Sequence, residues 1–176
     1  MPRPEFTEYG TFFQRYIDYP PGDDAKEVLN NSLAPLQQFL SAIPAEKLHY
    51  AYAPGKWTVA QLLQHVIDTE RVFAYRAMCI SRGEEQALPG FDENIYADNA
   101  TASDRTLNDL IEELLLVRNS TLLLYKNISD KKLFRPGIAS NHPITPNAIA
   151  FIIVGHVMHH QKILTDRYLG AIATTL

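Results

Sequence analysis

Residues 146–169, PNAIAFIIVGHVMHHQKILTDRYL, decide how the rest of the chain is read. Thr145 precedes them as an N-cap, Pro146 stands at the first helical position where its missing N–H costs nothing, and Gly170 follows as a terminator. Between these marks apolar residues recur with helical period, which predicts one helix of about 36 Å. At about 100° per residue, Ile149, Ile152, Ile153, Ile163 and His160 all fall within about 60° of His156. Both histidines therefore lie inside the stripe that must face a core, with His159 on its edge. Residues four apart share a helix face, so His156 and His160 can chelate one ion. Burying two imidazoles without partners would cost roughly 1–3 kcal/mol each, a cost that a shared metal removes. The alternative is a pair of core histidines bonded to carbonyls.

Three further helices are predicted upstream. The first spans 24–42, opening at Asp23/Asp24, with Pro35 expected to kink or split it. A loop rich in breakers, 44–57, leads to the second, 58–82, with Thr58 as N-cap and Gly83 just past its end. The third spans 106–127, starting near Ser103 or Asp104. No strand, repeat or low-complexity tract is evident. The fold class is all-α, a four-helix bundle. The connection 83–105 is too long for an ordinary up-and-down bundle and has the length to return along it, which would leave the second and third helices parallel. The chain is read as a single domain, 1–176, with an aromatic arm over 1–22 that carries Phe6, Tyr9, Phe12, Phe13, Tyr16 and Tyr19. The arm packs on the bundle, with a lid or a subunit contact as alternatives.

His65 lies on the second helix in VAQLLQHVIDTERVF (59–73), on the same inward side as Leu62, Thr69, Val72 and Arg76. It would complete a three-nitrogen site with His156 and His160. Three neutral imidazoles with open positions suit a catalytic first-row metal. Asp68, one turn from His65, can orient its ring by accepting the second N–H, or can pair with Arg71 or face water. Arg76 and Arg167 are placed inward near helix ends, as anion binders or as structural arginines with only their stems buried. Asp92 and Glu93 in the long connection could reach a metal position as base or ligand. Cys79 has no activating neighbour and is read as a small core residue, and His49 and His142 lie in loops.

Totals narrow the function classes. With 176 residues, 46% apolar and 20% charged, the chain can fold without staples. A net charge of −4 offers no electrostatic footprint for nucleic acid or an anionic membrane. The single cysteine points to a reducing compartment, and the lack of an apolar leader or span to the cytoplasm. No phosphate loop or nucleophile elbow occurs.

Three segments carry a family resemblance: GKWTVAQLLQHVIDTERVFAYRA (55–77), LPGFDEN (88–94) and AIAFIIVGHVMHHQKIL (148–164). They resemble the DinB/YfiT-like superfamily of metal-binding helical bundles, over nearly the whole chain. The resemblance implies one ligand on the second helix and an H-x3-H pair on the fourth, mapping to His65, His156 and His160, with His159 an extra neighbour. It implies an up-down-down-up course, a divalent ion (nickel, zinc or iron) and a homodimer. Relatives in that superfamily include bacillithiol-using S-transferases, a mycothiol-dependent isomerase and a domain of sulfoxide synthases. The implied function is metal-dependent transfer of a low-molecular-weight thiol, as co-substrate, to an electrophilic small molecule. Metal-assisted hydrolysis is the alternative within enzymes, and a non-catalytic, metal-stabilised, stress-related binding module the alternative outside them.

Overall fold

The three long helices of the bundle, Val59–Arg82, Leu107–Lys126 and Pro146–Ile163, each open on a threonine whose side chain caps the first turn. A computed structural model describes residues 2–170; the ends of the 1–176 domain and the start of the 1–22 arm lie outside the described residues. Helices α1 (Gln14–Ile17), α2 (Ala25–Asn31) and α3 (Leu33–Ser41) come first. Helix α4 (Val59–Arg82) opens on a Thr58/Gln61 capping box and stops at Gly83, whose φ of 99° only glycine adopts freely. Helix α5 (Glu93–Asn99) lies within the long connection. Helix α6 (Leu107–Lys126) starts at Thr106, which forms a second capping box with Asp109. Helix α7 (Asp130–Leu133) and a hairpin, β1 (Gly137–Ala139) with β2 (His142–Ile144), lead to α8 (Pro146–Ile163), capped by Thr145. The bundle proper packs α4 against α6 and α8, and α2 against α8 and α6.

The structure departs from the expected pattern in two places and fills in two others. The all-α expectation fails at the hairpin: Ser140 and Asn141 take left-handed φ values of 52° and 64°, a two-residue turn that closes strands too short to show a period. The first predicted helix is split, as Pro35 leads one to expect, and the break falls at Ser32, so the proline lies in the first turn of α3 where no N–H is required. The third helix starts at Thr106, not near Ser103 or Asp104, because residues 102–104 form a separate 3-10 turn. The long connection after α4 contains α5, which Asp92 caps by accepting from the N–H groups of Asn94 and Ile95.

The N-terminal arm is built into the fold. Tyr9 pairs with Ile144 as an isolated bridge, Thr145 donates to the Glu8 carbonyl and carboxylate, and Arg3 donates to the carbonyls of Ile17, Pro20 and Gly22. Tyr9, Phe13, Tyr16 and Ile17 are buried, while Phe6 and Phe12 are exposed. The apolar core has two halves. One takes Phe73, Ala77 and Ile80 from α4 and residues 148–154 from α8; the other takes Val59, Leu62, Leu63, Val66 and Ile67 from α4 and Val157, Leu164, Tyr168 and Leu169 from the C-terminal end. Between them runs a polar layer of His65, Thr69, Glu70, Arg118 and His156, all buried. No described helix is long and apolar enough to cross a membrane.

Candidate metal centre

His65 and His156 face each other because α4 and α8 are packed neighbours and each histidine sits in its helix's inward stripe. Their Nε2 atoms are 3.0 Å apart, and the Nε2 of His160 is 3.1 Å from that of His156. The three rings stand with centroids 4.5–5.0 Å apart, and one nitrogen from each lies within 4.8 Å of the other two. A neutral imidazole nitrogen carries either one proton or one lone pair. The His156 Nε2 therefore cannot make an ordinary hydrogen bond to both neighbours, and a shared cation is the species that satisfies three converging lone pairs. The donor set fits a divalent first-row ion.

The electrostatics keep these rings ready to ligate. Burial holds the His65 pKa down to about 4, against a raising influence from the Glu93 carboxylate. Burial, then the neighbouring His65 and His159 and the Arg15 cation, hold His160 at about 3. His156 is pushed well below the usual histidine range by burial first and by the other histidines second. All three are neutral at pH 7, the form that binds a metal.

The surroundings differ from the expected ones. Thr69, not Asp68, meets the far side of His65, with Oγ1 3.5 Å from Nδ1. Asp68 instead accepts from Gln64 at 3.0 Å and lies 3.9 Å from Arg71. Thr69 was visible in the sequence as the next residue along the His65 face, but a hydroxyl is a weaker signal than a carboxylate. His159 stays out of the converging set; its Nδ1 is 3.5 Å from the Tyr19 hydroxyl. The His160 Nδ1 is buried with no partner among the described residues. Trp57 lies over His65 at 4.8 Å between ring centroids. Tyr16 stands edge-on to His156 and His159 at 5.4 and 5.5 Å, and the Arg15 guanidinium covers the Tyr16 ring at 4.7 Å. Sequence reading missed Trp57, Tyr16 and Arg15 as neighbours of the cluster, because only the tertiary fold brings the arm and the 44–57 loop to it.

The remaining candidates separate. Glu93 is exposed at the start of α5, and its charge is felt at His65 and at Tyr16. Asp92 is occupied as the α5 cap. Arg76 is buried, three turns along α4 from His65, and ties the long connection to the hairpin through Pro89 and Ser140. Arg167 does not point inward: it is exposed and donates to the Tyr52 hydroxyl at 3.0 Å. After Ile163 the last helix widens to π geometry over Leu164–Leu169, so the 100° rule that placed Arg167 inward no longer applies. Cys79 is half-buried and packs against the core, as expected of a small apolar residue.

Among solved structures, YfiT of Bacillus subtilis, described as a probable metal-dependent hydrolase with an unusual four-helix bundle topology, superposes with a TM-score of 0.67 at 21% identity, covering 78% of this chain and 79% of that one. A mycothiol-dependent maleylpyruvate isomerase matches with a TM-score of 0.67 at 15% identity, covering 85% of this chain; the chain spans 61% of that protein's length. At these identities the likeness establishes the fold. A search of curated protein sequences finds no match. The model of the DinB superfamily matches residues 29–164, which takes in all three converging histidines, and the chain belongs to that superfamily.

Proposed function

We propose that the chain is a metal-dependent enzyme in which His65, His156 and His160 hold one divalent ion, nickel, zinc or iron, and that it transfers a low-molecular-weight thiol to an electrophilic small molecule. The observation that carries this is the convergence of three Nε2 atoms that no arrangement of their own protons can satisfy. When bound, such an ion lowers the pKa of a coordinated thiol and so favours the thiolate, the nucleophilic form. The protein's part is to present three uncharged donors, to keep the Nδ1 side of His65 beside Thr69, and to wall the site with Trp57 and Tyr16. Transfer would join the sulfur to carbon as the leaving group departs with its electron pair, the thiol proton passing to water. Glu93 favours a second reading, metal-assisted hydrolysis, because its carboxylate is the acidic group whose charge reaches His65. The up-down-down-up course of the helices and a homodimer belong to the same proposal.

The test uses untagged protein loaded with nickel and assayed with an activated aryl halide and an epoxide, with and without small thiols. Trp57 is the chain's only tryptophan and touches His65, so nickel should quench its fluorescence to an end point near about one ion per chain. Thiol-dependent turnover, lost together with the quenching in His156→Ala/His160→Ala, is the expected result. Turnover of esters without thiol would overturn transfer in favour of hydrolysis. Absence of any saturable quenching would remove the metal site itself.

A further inference from the structure

Arg76 is 2% exposed, yet no carboxylate among the described residues lies within ion-pair distance of it. The contrast is with Arg118, equally buried, whose guanidinium is held by both oxygens of Glu70 at 2.8 and 2.9 Å. Arg76 spends both protons of Nη2, on the Pro89 carbonyl at 2.7 Å and the Ser140 hydroxyl at 2.9 Å. A guanidinium has five N–H groups, and those on Nε and Nη1 have no acceptor among the described residues. The Phe73 ring lies 5.2 Å from Cζ and offsets part of the charge. Burial pushes the guanidinium pKa down, with nothing anionic to oppose it. The Arg76 N–H groups without an acceptor are not sealed from solvent, yet a largely buried cation with no counter-charge beside it is costly.

Arg76 lines a cavity of about 280 Å³ between α4 and the long connection, with Val72, Tyr75, Phe91 and Tyr96 as its other main walls. A neighbouring hollow of about 450 Å³ shares Val72 and Tyr96, so the space continues along α5. Arg71, the second cation at this rim, is tied to Glu113 and Asp68. The cavity therefore offers one positive charge and a set of apolar and aromatic faces. His65 and Arg76 stand eleven residues apart on one helix, about 16 Å along its axis, so an occupant here does not reach the histidine cluster.

We propose that this cavity is a second ligand site, which binds a small carboxylate with an aromatic or apolar body. The carboxylate supplies the counter-charge to the free N–H groups of Arg76, and the body lies against Tyr75, Phe91 and Tyr96. One singly charged group matches one free cation; phosphate carries more charge than a single guanidinium balances and has no apolar part for these walls.

The test titrates nickel-loaded protein with benzoate, with benzamide as its neutral analogue and inorganic phosphate as a bare anion. Calorimetry gives the affinities, and the Arg76 Nε–H resonance in nitrogen-edited NMR of the zinc-loaded protein reports contact. Benzoate should bind at least about tenfold more tightly than benzamide or phosphate and should move that resonance. Arg76→Gln also removes the bonds to Pro89 and Ser140, so the charge is tested through Val72→Glu, which puts a carboxylate into the cavity. That variant should lose about tenfold or more in benzoate affinity while still binding nickel. Equal binding of benzoate and benzamide, tighter binding of phosphate, an unmoved Arg76 resonance or an unaffected Val72→Glu would each overturn the proposal.

Discussion

Replacing Gly155 by alanine tests how the arm is fixed over the histidine cluster. Gly155 precedes His156 on α8, and α1 crosses the helix there. A Cβ at this position would lie 1.8 Å from the Tyr16 carbonyl oxygen, 2.6 Å from its carbon and 3.0 Å from Cα. Ordinary contact needs roughly 3.5 Å, so α1 must retreat by roughly 1.5 Å or more. All three atoms are backbone, and no rotamer change relieves the clash. Overpacking typically costs about 1–3 kcal/mol, and a backbone collision against buried Phe13, Tyr16 and Ile17 belongs at the upper end. At about 2–4 °C per kcal/mol for a chain of this size, about 3 kcal/mol lowers Tm by about 6–12 °C.

The assay is thermal unfolding of the metal-free protein, with Gly90→Ala as the control. At Gly90 the nearest atom to a new Cβ is the Ser140 Oγ at 3.3 Å, which also accepts from Arg76 and needs to give by only a few tenths of an ångström; the change should cost about 1 kcal/mol or less. None of the converging histidines sits on the arm, and nickel stoichiometry should be unchanged in Gly155→Ala. A Tm within about 2 °C of the control would refute the seating of α1 on Gly155.

Two further outcomes follow from the polar layer. Glu70→Gln leaves Arg118, which is fully buried, without its counter-charge; about 3–5 kcal/mol should be lost in urea unfolding, and Glu70→Met with Arg118→Leu should regain most of it. The histidines give the second. Their folded pKa values, about 4 for His65 and about 3 for His160, lie below the unfolded value of about 6.5. Below about pH 6.5 the unfolded chain takes up protons that the folded chain refuses, so stability falls as pH drops and these two groups add no slope above that pH. Urea midpoints of metal-free protein should fall between about pH 6.5 and 4, and a His65→Phe/His160→Phe variant should show a flatter profile; an equal slope in both would refute this origin.

Long-range and local signals were not equally legible in the sequence. Caps at Thr58 and Thr145 and the breakers at Gly83 and Gly170 bracketed the two helices that carry the cluster, and the inward facing of His65, His156 and His160 followed from helical period alone. What period could not supply was anything set by short or non-local geometry. The hairpin depends on two left-handed residues closing three-residue strands. The placement of Arg167 depended on a uniform 100° step, which the π-wound end of the last helix breaks. Tyr16, on α1, and Trp57, in the 44–57 loop, reach the cluster along paths held by tertiary contacts, Arg3 to the carbonyls of the arm and the Tyr168 hydroxyl to the Trp57 carbonyl. Thr69, nearer than Asp68 to the His65 direction on the helix, lies beside Nδ1, while the Asp68 carboxylate is engaged by Gln64 at 3.0 Å.

The two buried polar sets of this bundle explain each other. Glu70 and Arg118 answer their own burial: one acid and one base, opposite in charge, with two short bonds between them and a third from Arg118 to Ser32. A polar pair kept for structure alone looks like this. The histidines, one turn away along α4 and between the same two apolar halves, do the opposite. They are alike, uncharged by burial, and aimed nitrogen to nitrogen, so each added ring worsens the account that the others leave open. Nothing in the helix geometry requires this, since His156 and His160 could be leucines in the same stripe and would pack without any unmet bond. The bundle therefore bears a local cost at one layer which only a bound cation returns, and that asymmetry between two neighbouring polar sets is the physical reason to look for the chemistry at the histidines.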